Sequence, residues 1–135
     1  MVTGIILDRN ANGIESTQVR CFTDKSVYMQ GECVIINMSN AASTAVSVID
    51  REYIDGGFAS IEIEQHGRTW SAIELLAVAD IIVSKTLKPG DSPVYIWKTI
   101  SYNRSDTSAA PGTYRISFKN GIRSNQFEIT ENIRP

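Results

Sequence analysis

Thr113-Tyr114-Arg115-Ile116-Ser117-Phe118, then Lys119-Asn120-Gly121-Ile122-Arg123-Ser124, then Asn125-Gln126-Phe127-Glu128-Ile129-Thr130, is the stretch that decides the fold class of this chain. Its first and last runs alternate apolar with polar residues. A strand turns successive side chains to opposite faces, so Tyr114, Ile116 and Phe118 share one face, as do Phe127 and Ile129. Asn120-Gly121 lies between them and supplies positive φ at low cost, the strongest short-range hairpin signal. The stretch therefore predicts a closing β-hairpin with one apolar face.

The same grammar continues upstream. Val94 to Ile100 reads as a strand carrying Tyr95 and Trp97. Lys88-Pro89-Gly90-Asp91 before it is a strong turn, because proline pre-sets φ and glycine accepts the positive-φ position. Ile81 to Leu87 reads as a strand. Ser60-Ile61-Glu62-Ile63-Glu64-Gln65 alternates cleanly, with both isoleucines inward and both glutamates on a wet face. His66-Gly67-Arg68 turns that strand back into Thr69-Trp70. Ala45 to Ile49 is a shorter strand. Cys33 to Met38 puts Val34, Ile36 and Met38 on one face, and Thr17 to Phe22 is a further strand. Thr23 to Gly31 and Tyr102 to Gly112 read as loops.

Ser71-Ala72-Ile73-Glu74 has capping-box spacing before an apolar run, which predicts a short helical turn over Leu75 to Ala79. About eight strands without βαβ alternation, and one short helical turn, define an all-β, antiparallel β-sandwich. The expected organisation is an N-terminal extension strand and turn over residues 1–16, then the sandwich over 17–135.

Composition narrows the function classes. The chain has 135 residues, the size of a single domain, and buries enough surface to fold without metal or disulfide. A net charge of −2 gives no basic footprint for nucleic acid or an anionic membrane surface. One histidine and two cysteines exclude most zinc sites, which need three or four such ligands. The run from Ala72 to Val83 is too short to span a bilayer, and Glu74 and Asp80 interrupt it. The first residues carry no basic region and no long apolar region of a signal peptide. A cytoplasmic protein and a trimmed extracellular domain both fit.

Two groups of residues carry a resemblance. Thr23-Asp24-Lys25-Ser26-Val27-Tyr28-Met29-Gln30-Gly31-Glu32, followed by Val34, Ile36 and Asn40, resembles the entry of many prokaryotic immunoglobulin-like and macroglobulin-like domains. Trp70, Thr86-Leu87-Lys88-Pro89-Gly90-Asp91-Ser92, Tyr95-x-Trp97 and Pro111-Gly112-Thr113-Tyr114-Arg115-Ile116 follow in an order similar to the bacterial intracellular proteinase inhibitor family. The resemblance implies an immunoglobulin-like β-sandwich over roughly residues 17–130. The matching residues are framework residues, so it does not place an inhibitory loop, and fold analogy alone does not transfer an activity.

The remaining candidates are local. His66 sits at a predicted hairpin tip with no nucleophile motif beside it, which argues against a histidine-based hydrolase. Glu62 and Glu64 lie on one strand face and do not straddle a substrate as glycosidase carboxylates do. Cys21 and Cys33 flank the Thr23–Gly31 loop. Facing side chains would close a short disulfide, whereas strict alternation turns Cys33 outward and leaves two free thiols. Asp8, Asn10 and Asn12 place oxygens at relative positions 1, 3 and 5, with Gly13 at 6, as at the start of a calcium loop. Val19 replaces the acid at position 12, so a plain Asn-Gly turn is the competing reading.

No credible catalytic set emerges, so the expected function is a non-catalytic protein-binding or self-assembly module that needs no cofactor. Ile5-Ile6-Leu7 in the extension is composed to pair with a sheet edge of its own or another chain. Tyr53, Phe58 and Tyr102 are expected as loop aromatics at a recognition end. The alternatives are a proteinase inhibitor acting through an exposed loop, with residues 102–111 or 53–58 as candidates, and a weak calcium-binding surface domain.

Overall fold

The computed structural model describes residues 19–53, 58–79, 81–102 and 106–131, with the backbone alone at 101–102 and 106–107. The described residues are all-β. They form twelve strands: β1 (Val19–Thr23), β2 (Val27–Met29), β3 (Val34–Asn40), β4 (Val46–Asp50), β5 (Ser60–Gln65), β6 (Thr69–Ala72), β7 (Val83–Leu87), β8 (Val94–Trp97), β9 (Ile100–Tyr102), β10 (Asp106–Ser108), β11 (Gly112–Ser117) and β12 (Phe127–Thr130). A five-stranded sheet runs β2–β12–β11–β5–β6, and a three-stranded sheet runs β1–β3–β8. Two-stranded pairs β4–β7 and β9–β10 complete the set.

The inward faces of the two larger sheets meet in one core. Trp97 of β8 packs 5.6 Å from Tyr114 and 6.4 Å from Phe127, which belong to the other sheet. Val34, Ile36 and Met38 alternate into this core from β3, and Ile61 and Ile116 enter it from β5 and β11. The closing hairpin forms as its alternation predicts, with Tyr114 opposite Phe127 and Gly112 opposite Ile129. Gly121 sits at φ +94°, and its N–H donates to the Phe118 carbonyl at 3.0 Å.

The chain between Val34 and Asp50 stays paired with the chain between Val83 and Trp97 through a sharp corner. Val34 opposes Trp97 and Asn37 opposes Val94 on one side of the bend. Val46 opposes Leu87 and Asp50 opposes Val83 on the other. At the bend, Asn40 N–H donates to Asp91 O at 3.0 Å, and Gly90 N–H donates to Asn40 O at 2.9 Å. The buried Asn40 amide donates to the Thr44 and Leu87 carbonyls and accepts from Ala42 N–H. The predicted Lys88–Asp91 turn supplies the other half of the corner, with Gly90 at φ +88° and Asp91 N–H on Lys88 O at 2.9 Å. The backbone groups that a bend takes out of the strand ladder are thereby paired.

The Thr23–Glu32 motif forms a polar cluster that is also tied to Ile35 and Asn125. Tyr28 Oη donates to Asp24 and accepts from Lys25 N–H, Lys25 pairs with Glu32, and Glu32 accepts from Met29 N–H. It also corrects a sequence expectation. Thr23 to Gly31 is not wholly a loop, because Val27–Met29 pairs in parallel with β12, Glu128 opposite Val27. The sheet is therefore mixed and not purely antiparallel. A parallel pair needs a long crossover, which the whole intervening chain provides and local sequence cannot reveal.

The expected helical turn over Leu75–Ala79 is absent. Ser71 and Ala72 continue β6 opposite Ile63 and Glu62. Ile73 N–H then donates to Ile61 O at 2.9 Å, Ala77 bridges Tyr53, and Val78 N–H donates to Glu52 O at 2.9 Å. These donors are committed to Ile61 of β5 and to the segment after β4, which outweighs the local helix preference of the run. Within the expected Tyr102–Gly112 loop, Asp106–Ser108 forms β10 and pairs antiparallel with β9, Asp106 opposite Tyr102. The expected single strand over Val94–Ile100 breaks after Trp97, where Thr99 takes φ +56°.

Candidate functional site

The bent strand β7–β8 forms one border of the ribbon. Among the described residues β7 pairs only with β4, and β8 only with β3, so its other side is an open edge. Alternation along β8 buries Trp97 and half-buries Tyr95, and turns Val94 and Ile96 outward. Those two apolar side chains are 55% and 52% exposed. Val94 opposes Asn37 and Ile96 opposes Ile35, while Phe22 of β1 opposes Asn37 from the other side. Phe22, Ile35, Val94 and Ile96 thus give the outer face of the sheet an apolar band. Ile81 and Ile82, just before β7, are also largely exposed.

Beside this edge, inside the corner, lies an open groove of about 430 Å³. Lys85, Thr86 and Leu87 line it from β7, and Asp91, Pro93 and Tyr95 from the far side of the turn. Lys85 Nζ stands 4.6 Å from the centroid of the Phe58 ring and 3.6 Å from Glu52 Oε2. Burial, with a smaller contribution from Cys21, raises the pKa of Tyr95. The groove therefore offers one cation, one carboxylate and an aromatic floor beside the open side of β7 and β8.

A second polar cluster closes the far end of β4. The Asp50 carboxylate is fully buried. It accepts from Arg51 N–H at 2.7 Å, Ser60 N–H at 3.2 Å and the Ser60 hydroxyl at 3.0 Å. Tyr53 Oη lies 3.5 Å from Ser60 Oγ. Burial raises the Asp50 pKa, and the Arg51 and Ser60 hydrogen bonds and the Lys119 charge only partly oppose it. This cluster ties β4 to the start of β5. The lone histidine is elsewhere: His66 is exposed at the β5–β6 hairpin tip, at φ 56°.

The structure redistributes the candidates read from the sequence. Phe58 is no surface aromatic: it is 1% exposed and packs on Tyr95 and Phe118 at 6.3 and 6.1 Å. Tyr53 is half-buried, with its backbone bridged to Ala77. Tyr102 has its backbone in β9, and its side chain is outside the described atoms. Ile5, Ile6 and Leu7, and the calcium candidates Asp8, Asn10 and Asn12, lie outside the described residues. Among the described residues no three metal-binding side chains cluster. Cys21 is buried opposite Met38, and Cys33 is exposed beyond the other end of β3, so both are free thiols.

Glu62 was expected on a solvated face. On that outward face it is partly covered: it accepts from Arg115 Nε at 2.6 Å, and the Arg115 guanidinium covers Trp70 at 4.2 Å. Val94 and Ile96 were missed by the sequence reading. Their signal is visible in Val94-Tyr95-Ile96-Trp97, where all four positions are apolar or aromatic although a sheet with one wet face needs only two.

No family model matches the chain, and no curated protein matches it in sequence. Solved structures share its outline weakly. A β-glucosidase from Listeria innocua in complex with gluconolactone is 11% identical over 86% of this chain and 16% of that one, with a TM-score of 0.42. The alkylpurine DNA glycosylase AlkC of Pseudomonas fluorescens is 12% identical over 84% of this chain and 30% of that one, TM-score 0.44. The sporulation control protein Spo0M of Bacillus subtilis is 15% identical over 87% and 50%, TM-score 0.40. This chain spans half or less of the length of each.

Proposed function

We propose that this chain is a non-catalytic immunoglobulin-like β-sandwich module that binds protein by adding an extended segment to its open β7–β8 edge. The observation that carries the reading is the exposure of Val94 and Ile96 on a strand whose outer side has no neighbour among the described residues. Such an edge is a template for another strand: backbone hydrogen bonds supply affinity, and alternate side chains supply selectivity. Two features support the immunoglobulin-like reading. Tyr114, near the start of β11, donates its hydroxyl to Ala110 O at 2.5 Å, the pattern of a tyrosine corner. Trp97 is buried against the opposite sheet, as the strand tryptophan of such sandwiches is.

The partner chemistry that fits is an extended apolar segment of the kind that Ile5-Ile6-Leu7 provides. A synthetic peptide of residues 1–16, added to isotope-labelled full chain, tests this. Backbone amide shifts are expected at 94–98 and along 83–87. Shifts confined to other strands, or none at millimolar peptide in a chain that is monomeric, would overturn the reading.

A further inference from the structure

We infer that a second copy of this chain occupies the β8 edge, paired antiparallel about a twofold axis at Tyr95. The two three-stranded sheets then become one six-stranded sheet. The inference rests on the strand-addition reading above and names the occupant.

Hydrogen-bond phase along β8 fixes which groups are offered. Met38 N–H donates to Pro93 O at 3.1 Å, so the bonded positions toward β3 are 93, 95 and 97. In an antiparallel ladder alternate residues direct both backbone groups to opposite sides. Val94 and Ile96 therefore present their N–H and C=O to the open side. The nitrogen of Pro93 is directed toward β3, so the proline removes no donor from the free edge.

Centring the twofold on Tyr95 opposes Val94 with Ile96 of the second copy, and Ile96 with its Val94. Each of these pairs exchanges two backbone hydrogen bonds, so every group offered by the two residues is used. Both outward side chains gain an apolar cross-strand neighbour, the unit that stabilises sheets. The same register sets Lys98 opposite Ser92 of the second copy, so no charge meets an apolar side chain. Moving the axis to Ile96 would set Lys98 against Val94, and moving it to Val94 would set Ile96 against Ser92. The Tyr95-centred register is the one in which apolar meets apolar and polar meets polar.

The edge also lacks the usual protection. Natural edge strands carry a charge, a blocking proline or a bulge to prevent pairing. Val94-Tyr95-Ile96-Trp97 carries none of these within the strand. With a net charge of only −2, two copies meet little long-range repulsion.

Sedimentation equilibrium of the full chain, with and without Ile96→Lys, tests the inference. Wild type is expected to dimerise with rising concentration across the micromolar range, and the variant to stay monomeric. Ile96 is half exposed, so the variant should keep the wild-type thermal transition by circular dichroism. Val94→Thr, a milder change with high strand preference, should weaken the dimer several-fold and guards against a folding defect. Tyr95→Cys in a Cys33→Ser background should cross-link into a dimer on oxidation, because a residue on the axis faces itself. A monomer at all concentrations, or a dimer that survives Ile96→Lys, overturns the inference. The 1–16 peptide separates the two proposals. If it binds at 94–98 to a chain that is always monomeric, the edge reading stands and the second copy is wrong. If it binds elsewhere, the edge reading itself fails.

Discussion

Both carboxylate oxygens of Asp50 lie 3.0 Å from the Ser60 hydroxyl. Two strands that are not paired with each other, β4 and β5, are joined by this contact. Burial is the dominant influence on Asp50 and raises its pKa.

A definite pH dependence follows for Asp50. Between the ordinary aspartate value and the raised one, the native state binds more protons than the unfolded chain. The contribution of Asp50 to stability therefore falls as pH rises through that window and is flat above it. Asp50→Asn removes this dependence. The wild-type advantage in urea midpoint over Asp50→Asn should shrink as pH increases across the window. An advantage that grows with pH would mean that the ionised carboxylate is the stabilised form.

Asn40 holds the corner of the ribbon. Asn40→Ala strands the Leu87 carbonyl and the Ala42 N–H in a buried site, and frees the more exposed Thr44 carbonyl. Leaving buried polar groups unsatisfied costs about 1–3 kcal/mol. Denaturant unfolding should show a loss in that range with an unchanged m-value. A loss below about 0.5 kcal/mol, the size of an ordinary surface substitution, would mean that the corner is held by its backbone bonds alone.

The two thiols should differ sharply. Burial pushes the Cys21 thiol up to about 12, and Cys33 is exposed. The thiolate is the reactive form, so Cys21 is protected twice, by access and by protonation. A thiol reagent at mildly alkaline pH should modify one cysteine per native chain, lost in Cys33→Ser, and two after unfolding. No reactive thiol in the native protein would mean that Cys33 is covered, against its exposed position beyond β3.

Much of the strand grammar was legible because it depends on contacts close in sequence. The closing hairpin, the Ser60–Gln65 alternation and the Lys88–Asp91 turn each rest on side-chain period or on one glycine with positive φ. The candidate site was legible only in part. The pattern Val94-Tyr95-Ile96-Trp97 stands in the sequence, but its meaning depends on which side of β8 has a neighbour. Phe58 shows the converse: beside Gly56-Gly57 it reads as a loop aromatic, yet the far-off Lys85, Tyr95 and Phe118 enclose it.

The sequence by itself determined an all-β chain, most of its turns and the inward faces of β3, β5, β11 and β12, since alternation and turn chemistry act within a few residues. Tertiary structure decided the parallel placement of β2 beside β12, the irregular path of Ile73–Val78 in place of a helix, and the open border along β8. Each of these turns on which backbone donor meets which acceptor across a long stretch of chain. That choice depends on the packing of the whole core around Trp97, which no local window contains.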